Sequence, residues 1–196
     1  SGNIEAVGYE MYCQLLEQAC RRLRNEPEDA WRPVNLELGV SAAVPRSYIR
    51  SEKRRMEVYR RLASCRRVEE VRDLADELAD AFGPVPAEVE LLLALAEIRA
   101  LAQRWGIRAV VLEPPDVIFS VDDVRQVEPL LSEGDGSPRV PDGRTVHWRL
   151  PKRLLEPARV VEVLLKQLRG AMERGISPAR VAPPADHLPA SPATAR

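Results

Sequence analysis

The sequence predicts an α+β domain: several helices around a central apolar helix, packed with a small sheet of short strands. Three observations lead there. Apolar residues recur at three- and four-residue spacing in several separate stretches, the period of one helical face. Short runs such as "VNLELGV", "IRAVVLE", "DVIFSV" and "RTVHWRL" have the alternating or β-branched apolar content of strands. At 196 residues the chain can bury a real core in one domain with at most a small appendage.

The elements follow in order. In "VGYEMYCQLLEQACRRLR", Tyr12, Leu15, Leu16, Ala19 and Leu23 predict an amphipathic helix from about residue 7 to 24. "VNLELGV" alternates Val34, Leu36, Leu38 and Val40 with polar residues and glycine, which predicts a strand with one buried face. Pro45 lies in the exit loop, after which Met56, Tyr59, Leu62 and Ala63 restore helical period. The next helix carries Val71, Leu74, Leu78 and Phe82 as its apolar stripe. Gly83, suited to a left-handed C′ position, and Pro84 stop it, and Pro86 at the first helical position starts another. That helix has Leu91, Leu92, Leu93, Leu95, Ile98 and Leu101 around much of its circumference, so it should run through the centre of the fold.

After Gly106, "IRAVVLE" and "DVIFSV" predict two strands flanking Pro114 and Pro115. "EGDGSPRVPDG" reads as a Gly/Pro-rich turn, "RTVHWRL" as a strand and "ARVVEVLLKQLRGAM" as a closing helix. Residues 177–196 lack periodicity and bulky apolar residues, so a disordered Pro/Ala-rich tail is expected there. No internal repeat is visible.

Composition narrows the function classes. Lys and Arg number 29 against 30 Asp and Glu, a formal charge of -1, so no global field points to nucleic acid or an anionic membrane. Cys13, Cys20 and Cys65 form no C-x-x-C pair, which argues against a disulfide framework or zinc cage and fits a reducing cytoplasm. Cys13 and Cys20 sit among apolar helical positions and read as inert thiols. No apolar run reaches the length of a membrane span, and no signal-peptide pattern is present. The sequence has neither a G-x-x-x-x-G-K-[ST] loop nor G-x-G-x-x-G. With His147 and His187 alone, triad catalysis would rest on His147, which reads better as a partly packed strand histidine. The expectation is a non-catalytic domain with no cofactor and no metal.

Charge is instead segregated along the chain. Residues 46–67 hold nine cations against two carboxylates, a net charge of +7, whereas residues 68–90 hold eight carboxylates against Arg72, a net charge of -7. Two neighbouring helices could simply balance each other through solvated pairs. The acidic helix adds a second feature: at 100° per residue, Glu69, Asp73, Asp76, Glu77 and Asp80 fall within about a 100° arc away from Leu74 and Leu78. Glu77 and Asp80 lie near the C-terminal end, where the helix dipole disfavours negative charge. Asp73, Asp76, Glu77 and Asp80 are therefore candidate docking residues. The basic helix offers a rival surface, in which Arg54, Arg55, Arg60 and Arg61 would neutralise nucleic-acid phosphates.

Several motifs carry a family resemblance. "SGNIEAVGYEMYCQLLEQA" is similar to the end of a helicase motor followed by the opening helix of the C-terminal domain of bacterial transcription-repair coupling factor. "VPRSYI", "RRMEVYRRLAS", "ELADAFGPVP" and "WGIR" follow in the order of that domain, so the resemblance covers about residues 1–110. Beyond it, only the strand and helix pattern to about residue 172 is similar. The resemblance implies residues 1–6 as motor end or linker and 7–176 as a C-terminal regulatory domain; the Pro/Ala-rich tail at 177–196 has no counterpart in it.

It also implies a role. The full protein would be an ATP-driven DNA translocase that displaces stalled RNA polymerase and recruits excision repair. The C-terminal domain would dock on an excinuclease-B-like N-terminal module, mask recruitment of excinuclease A and restrain the motor until polymerase is engaged. In that family, carboxylates of an E-L-x-D-x-F-G segment face basic residues of the masked module, and they match Glu77 and Asp80 here. Asn3, where relatives often have histidine, and the long tail depart from the pattern.

Overall fold

The computed structural model describes residues 34–132 and 134–178. The expected helix at 7–24 and nearly all of the tail lie outside them. Alternation builds the first strand, β1 (Asn35–Glu37), in which Leu36 is buried and Glu37 exposed. Val34 and Leu38 continue the buried face, but ladder pairing is confined to three residues. The strand is therefore shorter than the alternation of Val34–Val40 predicts.

Three helices follow: α1 (Glu52–Ser64), α2 (Val68–Phe82) and α3 (Ala87–Arg104). Ser51 caps α1 by accepting from the Arg54 N–H. Tyr59 is buried on the inner face of α1, and its hydroxyl accepts from the Val44 N–H at 2.7 Å, tying the preceding loop to the helix. The apolar stripe of α2 is buried as expected at Val71, Leu74 and Leu78, with Phe82 half-buried. Gly83 has φ 88° and ψ -166°. Its positive φ is as predicted, but its ψ takes the chain out extended instead of into a left-handed helical turn, a conformation that favours glycine.

Pro86 is the N-cap of α3 and not its first helical residue. Its carbonyl accepts from the Val89 and Glu90 N–H groups, while its extended ψ of 158° joins the Gly83–Val85 segment to the helix. The central position of α3 is borne out: it packs on α1, α2 and β1. Leu92, Leu95, Ile98 and Leu101 are almost wholly buried, whereas Leu91 and Leu93 are only partly so. Each fully buried side chain of this type contributes roughly 1.5–3 kcal/mol by leaving water. Glu97, also buried on α3, is neutralised by Arg169. Gly106, with φ 66°, turns the chain from α3 into the sheet, and a Cβ there would meet the Gln126 side chain.

The chain then forms β2 (Ile107–Glu113), β3 (Asp116–Val121), a short helix α4 (Val124–Leu131), β4 (Ser137–Asp142), β5 (Thr145–Arg149) and the closing helix α5 (Pro157–Glu173). The sheet order is β1-β2-β3-β5-β4, with β1 parallel to β2 and the other pairs antiparallel. Val117, Phe119, Val146 and Trp148 project into the core, where Phe119 and Trp148 meet edge to face at 6.2 Å between centroids. Packing of α5 against α3 and α4 closes this side of the fold.

Two elements depart from the sequence expectation. The presumed turn "EGDGSPRVPDG" contains β4, an edge strand whose residues are all exposed and include Pro138 and Pro141. Proline is tolerated there because one side of an edge strand needs no ladder donors. The second is α4, for which the sequence reading has no counterpart; Asp123 caps it through the Arg125 N–H, and Pro129 lies inside it.

Candidate functional site

The acidic helix α2 begins where its charge is welcome. Glu70 accepts from the Arg66 backbone N–H at 2.8 Å and from Arg67 Nε at 3.0 Å, so those donors hold its carboxyl below the ordinary range. No basic residue lies in the last turn of this helix. Its C-terminal end is braced by other means. The Tyr48 hydroxyl lies 3.0 Å from the Leu78 carbonyl and 3.1 Å from the Gly83 carbonyl and donates to them, and burial raises its pKa. The Tyr48 ring packs edge-on against Phe82 at 5.8 Å, and the Arg54 guanidinium sits 5.9 Å from the centre of the Phe82 ring. Tyr48 belongs to "VPRSYI" and Phe82 to "ELADAFGPVP", so two separate motifs meet at this helix end.

The predicted site residues divide into two groups. Glu77 is engaged within the chain: Arg61 on α1 donates through Nη1 to Oε2 at 2.6 Å and through Nη2 to Oε1 at 2.9 Å. This hydrogen bonding holds the Glu77 carboxyl below its ordinary range and raises Arg61. Asp73, Asp76 and Asp80 are exposed and have no hydrogen-bond or ion-pair partner among the described residues. The four candidate docking residues thus comprise three open carboxylates and one closed one.

The four candidate basic residues are each held by the chain. Arg54 covers Phe82, and Arg55 donates through Nη1 to the Ile49 and Arg50 carbonyls at 2.8 and 3.0 Å. Arg60 forks onto Glu57, with Nη2 to Oε1 at 2.6 Å, while Arg61 holds Glu77. Behind them the Cys65 Sγ lies 3.2 Å from the Arg61 carbonyl, and burial pushes its thiol up to about 11, the behaviour of an inert cysteine.

Sequence reasoning missed a second charged cluster, on the sheet. Asp116 is 7% exposed and accepts from Arg149 Nε at 2.9 Å and Nη2 at 3.3 Å. Arg139 Nη2 lies 3.5 Å away and His147 Nδ1 3.6 Å away. The Arg149 hydrogen bond is the main cause of a lowered Asp116 pKa. Register places Asp116 opposite Arg149, and Arg139 opposite His147. The same-face spacing of His147 and Arg149 was legible in "HWR", but their acidic partner was not. Among the described residues no group of three His, Cys, Asp or Glu could hold a metal ion, and no helix is long and apolar enough to cross a membrane.

The arrangement is that of an α+β domain built around α3 and carrying an exposed, charged two-helix face. Residues 38–130 match the family model of the TRCF domain. Among curated proteins, the transcription-repair-coupling factors of Staphylococcus haemolyticus and Staphylococcus epidermidis are each 37% identical over 112 residues. That of Staphylococcus aureus is 35% identical over 111 residues. Each alignment covers 56% of this chain and 10% of the relative, so the chain spans about a tenth of the length of these relatives. A crystal structure of the C-terminal domain of transcription-repair coupling factor has a TM-score of 0.62 at 17% identity, covering 72% of this chain and 93% of that one. It shares the α+β fold.

Proposed function

We propose that this domain is the regulatory, autoinhibitory protein-interaction module of a transcription-repair coupling factor. Its partner within the full protein is an excinuclease-B-like module, on which it docks to mask recruitment of excinuclease A. The same contact restrains the DNA translocase until stalled RNA polymerase is engaged. DNA and polymerase are reached through the rest of the protein.

One observation carries this reading: Asp73, Asp76 and Asp80 form an exposed ridge without internal cations among the described residues, next to a +7 segment in which Arg54, Arg55, Arg60 and Arg61 each already have a contact in the chain. Solvated like charges on one helical ridge repel one another, and a basic partner surface would relieve that repulsion. A charged interface of this kind favours rapid, specific encounter while remaining releasable. The rival reading, phosphate binding through Arg54, Arg55, Arg60 and Arg61, has less support because each of these side chains already has a contact in the chain.

The test is binding of this chain to the excinuclease-B-like module across a salt series. Affinity should fall as salt rises, and Glu77→Ala with Asp80→Ala should weaken it while lowering the thermal melt at most slightly, through loss of the exposed Arg61–Glu77 pair. In the full-length parent the same double variant should raise binding of excinuclease A without polymerase. A folded double variant that docks as tightly as the parent and leaves recruitment masked refutes the reading. Sub-micromolar binding of random duplex DNA, lost when the four arginines are changed to Ala, would favour the rival.

A further inference from the structure

Glu77 matches the family's docking carboxylate, yet both of its oxygens are already taken. Arg61 approaches it fork to fork, through Nη1 at 2.6 Å and Nη2 at 2.9 Å, the geometry that an arginine of a docking partner would itself adopt. We propose that Arg61 is an internal competitor that keeps Glu77 closed and so sets the strength of docking. The inference rests on the docking reading above and adds its regulation.

Exposure makes an exchange feasible. The side chains of Arg61 and Glu77 are 42% and 55% exposed, so a partner guanidinium can reach the carboxylate and water screens the bond it must displace. Arg61 also has somewhere to go. Glu57 lies one turn back on α1, at the i,i+4 spacing at which helical side chains meet. Glu57 takes its main hydrogen bonds from Arg60, yet already feels the charge of Arg61. The last turn of α1 favours a cation through the helix dipole, so Arg61 is well placed whether or not it holds Glu77. Asp76 and Asp80, with no internal competitor among the described residues, would meet the partner first. Engagement of Glu77 then depends on displacing Arg61.

The experiment uses the 196-residue chain and calorimetric titration with the excinuclease-B-like module as probe, every variant being checked by thermal melt. Arg61→Met removes the guanidinium and keeps much of the stem. It should tighten binding roughly two- to fivefold, the scale of one exposed ion pair. Loss of any positive charge beside the stripe could also tighten binding, so the cycle is completed with Glu77→Gln and the double variant. Competition predicts that the gain disappears in the Glu77→Gln background; a gain that persists there in full overturns the inference. Arg61→Lys, which keeps the charge but loses the fork, should tighten less than Arg61→Met and gives the same readout if the Met variant unfolds.

Asp76→Asn with Asp80→Asn separates docking from its regulation. If this pair weakens binding about tenfold or more while Arg61→Met leaves it unchanged or weaker, docking through the stripe stands and the competitor role falls. If the chain does not bind the module, or neither set of variants alters binding, both fall together.

Discussion

Asp116 on β3 and Asp80 on α2 carry the same carboxylate in opposite circumstances. Asp116 is buried beneath two arginines and a histidine supplied by β4 and β5, whereas Asp80 stands exposed with no cation among the described residues. Both belong to charged patches, so charge alone does not distinguish them. Cross-strand register creates the difference at Asp116, because neighbours in an antiparallel sheet must face each other at fixed spacing. On α2, the side opposite Leu74 and Leu78 has no neighbouring element at Asp73, Asp76 or Asp80 among the described residues, and its carboxylates are left to solvent or a partner. A satisfied cluster stabilises a fold; an unsatisfied one is available to something else.

The comparison can be broken most forcefully from beneath the stripe. Leu78→Ala should cost roughly 2–5 kcal/mol, because Leu78 is 3% exposed and its truncation opens a cavity between α2 and the core. A denaturant titration measures it, and a negligible loss would mean that the acidic ridge has no packed platform. Next in size, Asp116→Ala should lower the melting temperature by roughly a few degrees, since Arg149, Arg139 and His147 lose their common acceptor. Asp76→Asn with Asp80→Asn should leave the melt unchanged or raise it slightly by relieving repulsion near the C-terminal end of the helix. Equal losses in the two variants would erase the distinction.

The smallest effect is the pH dependence. Glu70, Glu77 and Asp116 have lowered pKa values, with hydrogen bonds from Arg66, Arg61 and Arg149 as the respective main causes, and Asp123 is held at about 2 by Arg125. A carboxyl whose folded value lies below its unfolded value adds stability above the unfolded value and loses it as pH falls through the folded one. Stability should therefore decline from about pH 4 downward, following the ordinary carboxylate values. Asp116→Asn should flatten part of that decline, which melting curves across this range check.

Much of the fold was legible because its signals are local. The stripe of Val71, Leu74 and Leu78, the alternation around Leu36 and the apolar surround of α3 follow from the helical and strand periods. Gly83 and Pro84 marked the end of α2 for the same reason. The β4 strand was illegible because nothing in "SPRVPD" favours a strand except pairing with β5. The short α4 was obscured by Pro129 and by its length, although Val127, Leu130 and Leu131 are buried on one face.

The sequence by itself determined which residues share a helix face: Asp73, Asp76, Glu77 and Asp80 lie on one ridge because of a 100° rotation per residue. Tertiary structure decided which of them is occupied. Arg61 reaches Glu77 across 16 positions in sequence, and Arg149 reaches Asp116 across 33. Such pairings depend on how helices lie beside each other and how strands align, and those relations are set by packing of the whole core. Local periodicity can place a carboxylate on a surface, but only the packed chain determines which cations come within hydrogen-bonding reach.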